Sequence, residues 1–157
     1  MHPRAEHFRE TARDRYGFDP DVHEFPSGTK TAADAAAAIG CDVAQIASSI
    51  AFETDDGLAV VVTSGANRVD TAKVADLLGV EHASMADAGD VKAVLGWSIG
   101  GVPPFGYETD VPVLLDETLL AFDEVWAAAG TPEAVFPLSP DVLRELSGGR
   151  PVDVKED

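Results

Sequence analysis

Residues 48–63, SSIAFETDDGLAVVVT, decide how this chain is built. Two runs rich in β-branched and aromatic residues flank Thr54-Asp55-Asp56-Gly57. An Asp-Gly step between such runs is a strong hairpin signal, because glycine supplies the positive φ that a tight two-strand turn needs. Outward from this hairpin the pattern changes to helix on both sides. KTAADAAAAIG (30–40) reads as a helix with Thr31 at its N-cap and Gly40 past its end. VDTAKVADLLG (69–79) repeats that capped pattern from Asp70 to Gly79.

Further out, residues 3–16 have helical character, VHEF (22–25) and VEHA (80–83) read as brief strands, and a helix runs from about Asp87 to Leu95. VPVLL (111–115) and AVFPL (134–138) read as strands. EVWAAAG (124–130) is favoured as a strand, although its alanines also suit a helix. SPDVLRELSGG closes the pattern as a helix capped by Ser139 and stopped by Gly148. The expectation is an α+β fold, a mixed sheet with helices outside it, curled or closed so that its edges are limited.

At 157 residues the chain has a single-domain length, and with 45% hydrophobic residues it can bury one real core. We expect one domain over 1–157, with an N-terminal helix at about 3–16 and a core from about 22 to 153. The longest apolar runs are strand-sized, far below the roughly 20 residues of a membrane span. MHPRAEHFRETARDR is charged and lacks the apolar centre of a signal peptide. One cysteine, Cys41, excludes an internal disulfide framework and a cysteine-rich metal site. A cytoplasmic protein with no membrane association follows. His2, His7, His23 and His82 show no ligand spacing, so no metal and no cofactor is expected. There is no basic stripe interleaved with aromatics for open nucleic-acid binding, and DNA is not an expected partner.

SIGGVPPFGY (98–107) is the one unusual segment. Glycine tolerates positive φ and close approach of other groups, whereas proline fixes φ and lacks an N–H. Such a loop holds a shape. It is not a phosphate loop, because no Gly-Lys-Ser/Thr follows and prolines stand where backbone donors would be needed. Taken by itself it reads as a structural turn.

The ordered set TAADAAAAIGCDVAQIASSIAFE, LAVVVTSGANRVDTAKVADLLG, WSIGGVPPFG and VPVLLDETLLAFDEVWAAAGTPEAVFPLSPDVLREL resembles the YbaK/ProX family of aminoacyl-tRNA editing domains, from about His23 to Asp153. The resemblance implies a mixed, barrel-like curled β-sheet surrounded by helices. It also implies hydrolysis of an amino acid wrongly esterified to tRNA, typically alanine or cysteine on the tRNA for proline. The expected partners are the aminoacyl end of tRNA and prolyl-tRNA synthetase. In that family the loop matching Gly100, Gly101, Pro104 and Gly106 lines the pocket, where backbone N–H groups can face the developing oxyanion. Ser49, Phe105 and Asp116 join Pro104 and Gly106 as substrate-binding candidates by position. Phe105 and Trp126 otherwise read as packing residues, and Asp116 as a cap of the segment after it.

One departure stands out. Where the family usually carries an important lysine, in the segment QIASSIAF, this chain has Ser48. Ser48 and Lys30, in SGTKTAAD, are therefore the catalytic candidates beside Gly100 and Gly101, with Lys30 as the substitute cation or else a solvated loop lysine. The lost lysine also leaves two other readings open: a relative that binds an aminoacyl group without hydrolysing it, and a domain kept for contact with a synthetase.

The formal charge of −17, with 28 Asp+Glu against 11 Lys+Arg, is spread along the chain rather than gathered in a tail. It reads as a solvated acidic shell of the kind halophilic proteins carry, with an acidic face for a basic partner as the rival reading. Self-repulsion of such a shell is screened when the Debye length falls to about 3 Å at 1 M salt. The melting temperature should therefore rise as KCl is raised toward molar concentration. Circular dichroism melts at low and molar KCl check this, and a flat or falling midpoint contradicts it.

Overall fold

The computed structural model describes residues 1–25 and 31–157. Among these residues, five helices surround an eight-stranded mixed sheet. The first segments are α1 (Pro3–Tyr16), β1 (His23–Glu24) and α2 (Ala32–Ile39). The hairpin β2 (Ile46–Thr54) and β3 (Gly57–Ser64) follows. Then come α3 (Thr71–Leu78), β4 (Ala83–Met85), α4 (Ala88–Leu95), β5 (Val113–Asp116), β6 (Val125–Ala128), β7 (Ala134–Leu138), α5 (Pro140–Ser147) and β8 (Arg150–Val152). Short 3₁₀ turns occupy Val43–Gln45 and Glu117–Ala121.

The caps form as the residue types dictate. Thr31, Asp70, Asp87 and Ser139 each accept a backbone N–H of their own first helical turn, and glycines in the left-handed region end the same four helices. The central hairpin pairs in one register along its whole length, from Ala47 opposite Ser64 to Thr54 opposite Gly57. The strand path is β1-β7-β6-β2-β3-β5-β8, with β4 on the side of β2 that also carries β6. The pairs β2·β6, β3·β5 and β5·β8 are parallel and the others antiparallel.

Mixed α+β architecture is thus present, but among the described residues the sheet is not closed. Its path ends at β1, two residues long, and at β8, three residues long, and strands this short leave little edge to pair with another chain. Other differences from the sequence reading have local causes. The strand expected at 80–83 begins only at Ala83, because the N–H groups of Glu81 and His82 donate to the Asp55 carboxylate at 3.0 and 3.2 Å and tie that stretch to the hairpin turn. Strand β5 starts two residues later than VPVLL and reaches Asp116, since Pro112 offers only its carbonyl, which accepts from Val60 N–H. β8 was not expected, and its three residues carry no period to read.

The main core lies between α1 and one face of the sheet. Ala5, Phe8 and Ala12 are fully buried, spaced three and four apart on one face of α1. The Phe8 ring packs on Phe136, Phe105 and Trp97 at centroid distances of 5.0, 5.4 and 6.0 Å. Phe8→Ala should cost about 3–5 kcal/mol, lowering the melting temperature by on the order of 10 °C for a chain of this size. Thermal denaturation checks this; a loss below about 1 kcal/mol makes α1 an appendage rather than part of the core.

Candidate functional site

A cavity of about 200 Å³ opens at the edge of β2. Six consecutive residues of this strand, Ile46 to Ile50 with Ala51, line it. Neighbouring side chains on a strand point to opposite faces. A cavity touching all six must therefore wrap around an open edge.

The pairing explains the opening. On one side β2 is laddered to β3 throughout, whereas on the other it meets β6 only at Ile46 and Ala47 and β4 only at Phe52 to Thr54. Between them, Ser48 to Ala51 have no strand partner on that side among the described residues. The Gly65 N–H donates to Ile46 O at 2.8 Å, so even-numbered residues of β2 turn their backbone groups toward β3. Odd-numbered residues face the gap, as the Ala86 N–H donating to Ala51 O at 3.1 Å confirms. Ser49 therefore presents both its N–H and its C=O to the cavity.

The remaining walls come from α2, the 98–107 loop, β6 and the turn before β7, with Ile99, Gly100, Trp126, Thr131 and Pro132 among them. Among the described residues the lining carries no ionisable side chain. Small apolar groups dominate, notably Ala47, Ala51, Ala127 and Ala134.

Of the residues proposed from sequence, Ser48, Ser49 and Gly100 meet at this cavity. Lys30 lies outside the described residues, directly before the lining residue Thr31. Gly101, Pro104, Phe105 and Gly106 stand behind the lining as scaffold. The Gly101 N–H donates to Ser98 O at 3.0 Å, and a Cβ there would fall 2.6 Å from Thr131 Cα, so glycine is needed for this close approach. The Gly106 N–H donates to the Tyr16 hydroxyl at 3.2 Å, and its carbonyl accepts from Trp97 Nε1 at 2.9 Å. Those two glycine donors are thus used within the fold rather than offered to a ligand. Phe105 is buried among Phe8, Tyr16, Phe18 and Phe136.

Asp116 is 1% exposed and also lies outside the lining. It accepts from Ser64 N at 3.0 Å, Thr63 Oγ1 at 3.2 Å, Asn67 Nδ2 at 2.9 Å and Thr118 N at 3.0 Å, which locks β3, β5 and the 3₁₀ turn together. Trp126, read from sequence as packing, does line the cavity, its ring edge-on to His23 at 5.1 Å. Thr131 was not singled out; the glycine that abuts it, Gly101, was its only signal.

The Ser49 hydroxyl is buried without a hydrogen-bond partner. Nearby, the Tyr107 hydroxyl donates to Pro103 O at 2.7 Å, and burial pushes its pKa well above the ordinary tyrosine range, with the neighbouring Ser49 side chain acting the other way. Tyr107 is a neutral strut. Cys41 is outside the lining, and burial, then the neighbouring Asp42 charge, raise its thiol pKa, the opposite of nucleophile activation.

Residues 26–146 match the model of the aminoacyl-tRNA editing domain. The chain belongs to that family. It is 34% identical over 128 residues to YwhH of Bacillus subtilis, covering 81% of each chain. It is 30% identical over 129 residues to the proline–tRNA ligase of Leuconostoc citreum, covering 82% of this chain but spanning only 22% of the ligase. A solved structure described as a candidate trans-editing enzyme for prolyl-tRNA synthetase superposes with a TM-score of 0.94 at 39% identity, over 100% of this chain and 99% of that one.

With this editing fold, Asp116 acts as a brace. Asp116→Ala leaves buried donors unmet and should cost about 3 kcal/mol. Chemical denaturation measures that loss. Titration of the folded protein with an aminoacyl-adenosine analogue should give an affinity close to wild type, and a large affinity loss at unchanged stability would contradict the brace.

Proposed function

We propose that the protein hydrolyses the ester of mischarged aminoacyl-tRNA, acting on the tRNA for proline when it carries a small wrong amino acid. Family membership and the prolyl-tRNA synthetase relatives support this reading. The observation that carries it is the alanine-walled cavity at the open edge of β2. A rigid pocket of this kind selects by exclusion, admitting a small side chain and refusing a larger one.

In the reaction, the oxygen of water adds to the ester carbonyl carbon, the bond from that carbon to the ribose oxygen breaks, and the ribose oxygen takes the proton that water gives up. The described lining holds no base. The vicinal ribose hydroxyl of the substrate is then the group placed to relay the proton, and the protein contributes orientation and fixed dipoles. Lys30 is the candidate for the missing cation. Trp126 offers an aromatic surface for the terminal adenine. With 11 Lys+Arg against 28 Asp+Glu, phosphate contacts are few, so recognition rests on the aminoacyl-adenosine end, with prolyl-tRNA synthetase the partner that supplies the charged tRNA.

The test is incubation with tRNA for proline charged with alanine, cysteine, serine or proline at high KCl. We expect release of a small wrong amino acid and sparing of proline. Ser48→Lys should raise the rate by on the order of 10²-fold if a cation at this place stabilises the oxyanion. Lys30→Ala should remove most activity if Lys30 supplies that charge, and be nearly silent if neutral hydrogen bonding suffices. Ser48 at the cavity favours a second reading, binding without hydrolysis. That reading prevails if wild type and Ser48→Lys both bind every charged tRNA and leave it intact.

A further inference from the structure

Among the described residues the gap leaves one residue of β2, Ser49, with both backbone groups free, and an aminoacyl ester is one residue long. Ala47 below the gap is laddered to Ala127, and Ala51 O above it accepts the Ala86 N–H. Between them Ser49 N–H and C=O point outward, with no partner among the described residues. An aminoacyl group carries an ammonium donor and a carbonyl acceptor on either side of one Cα, the same spacing by which a strand residue offers its N–H and C=O to the residue opposite. We infer that the aminoacyl group fills this vacant rung. Its ammonium donates to Ser49 O, and its ester carbonyl accepts from Ser49 N–H.

This deepens, and rests on, the reading of the cavity as an aminoacyl-ester site. It assigns to a main-chain amide of β2 the oxyanion contact that the Gly101 and Gly106 N–H groups, already engaged, do not supply. It also sets where the amino-acid side chain goes. Opposed residues of an antiparallel rung put their side chains on the same face. Here that face carries Ala47 and Ala51, with Ala127 beside Ala47 and Val91 and Val102 in the same packed cluster. A methyl or short polar side chain fits there and a large one meets the wall. The Ser49 Oγ, buried and unpartnered on this face, is a polar group available to such a side chain.

Proline at an outward-facing edge position keeps the ladder to β3, because the N–H it removes is not a ladder donor. Ser49→Pro should therefore cut hydrolysis by on the order of 10²-fold. Ser49→Ala, which keeps the amide and loses only the hydroxyl, separates the two contributions, and Ser49→Pro must fall at least about tenfold below it. A measurement on the wild-type protein does not depend on either variant folding. In amide hydrogen exchange by NMR, Ser49 should exchange faster than Ser48 and Ile50 in the free protein. It should become protected and shifted when the amide-linked alanyl analogue of adenosine is added. A Ser49 amide already protected in the free protein overturns the inference. So does one left unshifted while the Trp126 indole responds to the bound analogue, an outcome that leaves the editing site standing. No response anywhere in the cavity overturns both.

Discussion

Strand β2 is held along one side and released in the middle of the other, and the rest of the molecule is arranged around that asymmetry. The uninterrupted ladder to β3 fixes its position. The brief pairings to β6 and β4 then define the two lips of the opening. A backbone edge that is neither paired nor fully wetted is costly unless something meets it, which is why open edges in folded proteins so often mark a place of recognition. In this fold the cost falls at Ser49, with Ala47 and Ala51 on the same face of β2 and the other cavity walls around it.

An aromatic cluster anchors the loop that borders the opening. Phe8, Phe105, Phe136 and Trp97 interlock α1 with the loop and with β7, and Arg15 donates to Tyr107 O at 2.8 Å to tie the loop's end to the helix. Glycine and proline in that loop do separate jobs. Gly101 allows the chain to press against Thr131, the carbonyl of Pro103 receives the neutral Tyr107 hydroxyl, and Gly100 forms part of the cavity wall. Preorganisation of this sort suits a site whose described lining holds no ionisable group, because dipoles that need not reorient stabilise developing charge more effectively than mobile ones.

A cavity with no ionisable group among its described lining residues, in a chain of net charge −17, also shapes how a polyanion can be met. The long-range field of the protein repels phosphates, and salt weakens that repulsion together with any attraction. Under the proposed function, short-range fit at the cavity would then be the main source of affinity, with selection by the chemistry of a charged tRNA's end rather than by its backbone.

Much of this was legible in the chain itself. The Asp55-Asp56-Gly57 turn, the caps at Thr31, Asp70, Asp87 and Ser139 and the glycine stops are local chemistry, settled by neighbours a few residues apart, and they read directly. The family likeness added the cavity's general place, including Ser48, Ser49 and Gly100. Short strands such as β4 and β8 were misplaced or missed, since three residues carry no period and their bounds are set by partners far along the chain. Only the tertiary structure could decide that Asp116 braces β3 instead of facing the cavity, that the Gly101 and Gly106 donors are already spent, and that Trp126 comes to the wall. Above all, the opening beside Ser49 is a property of where β6 stops and β4 begins, a long-range register that no residue of β2 encodes alone.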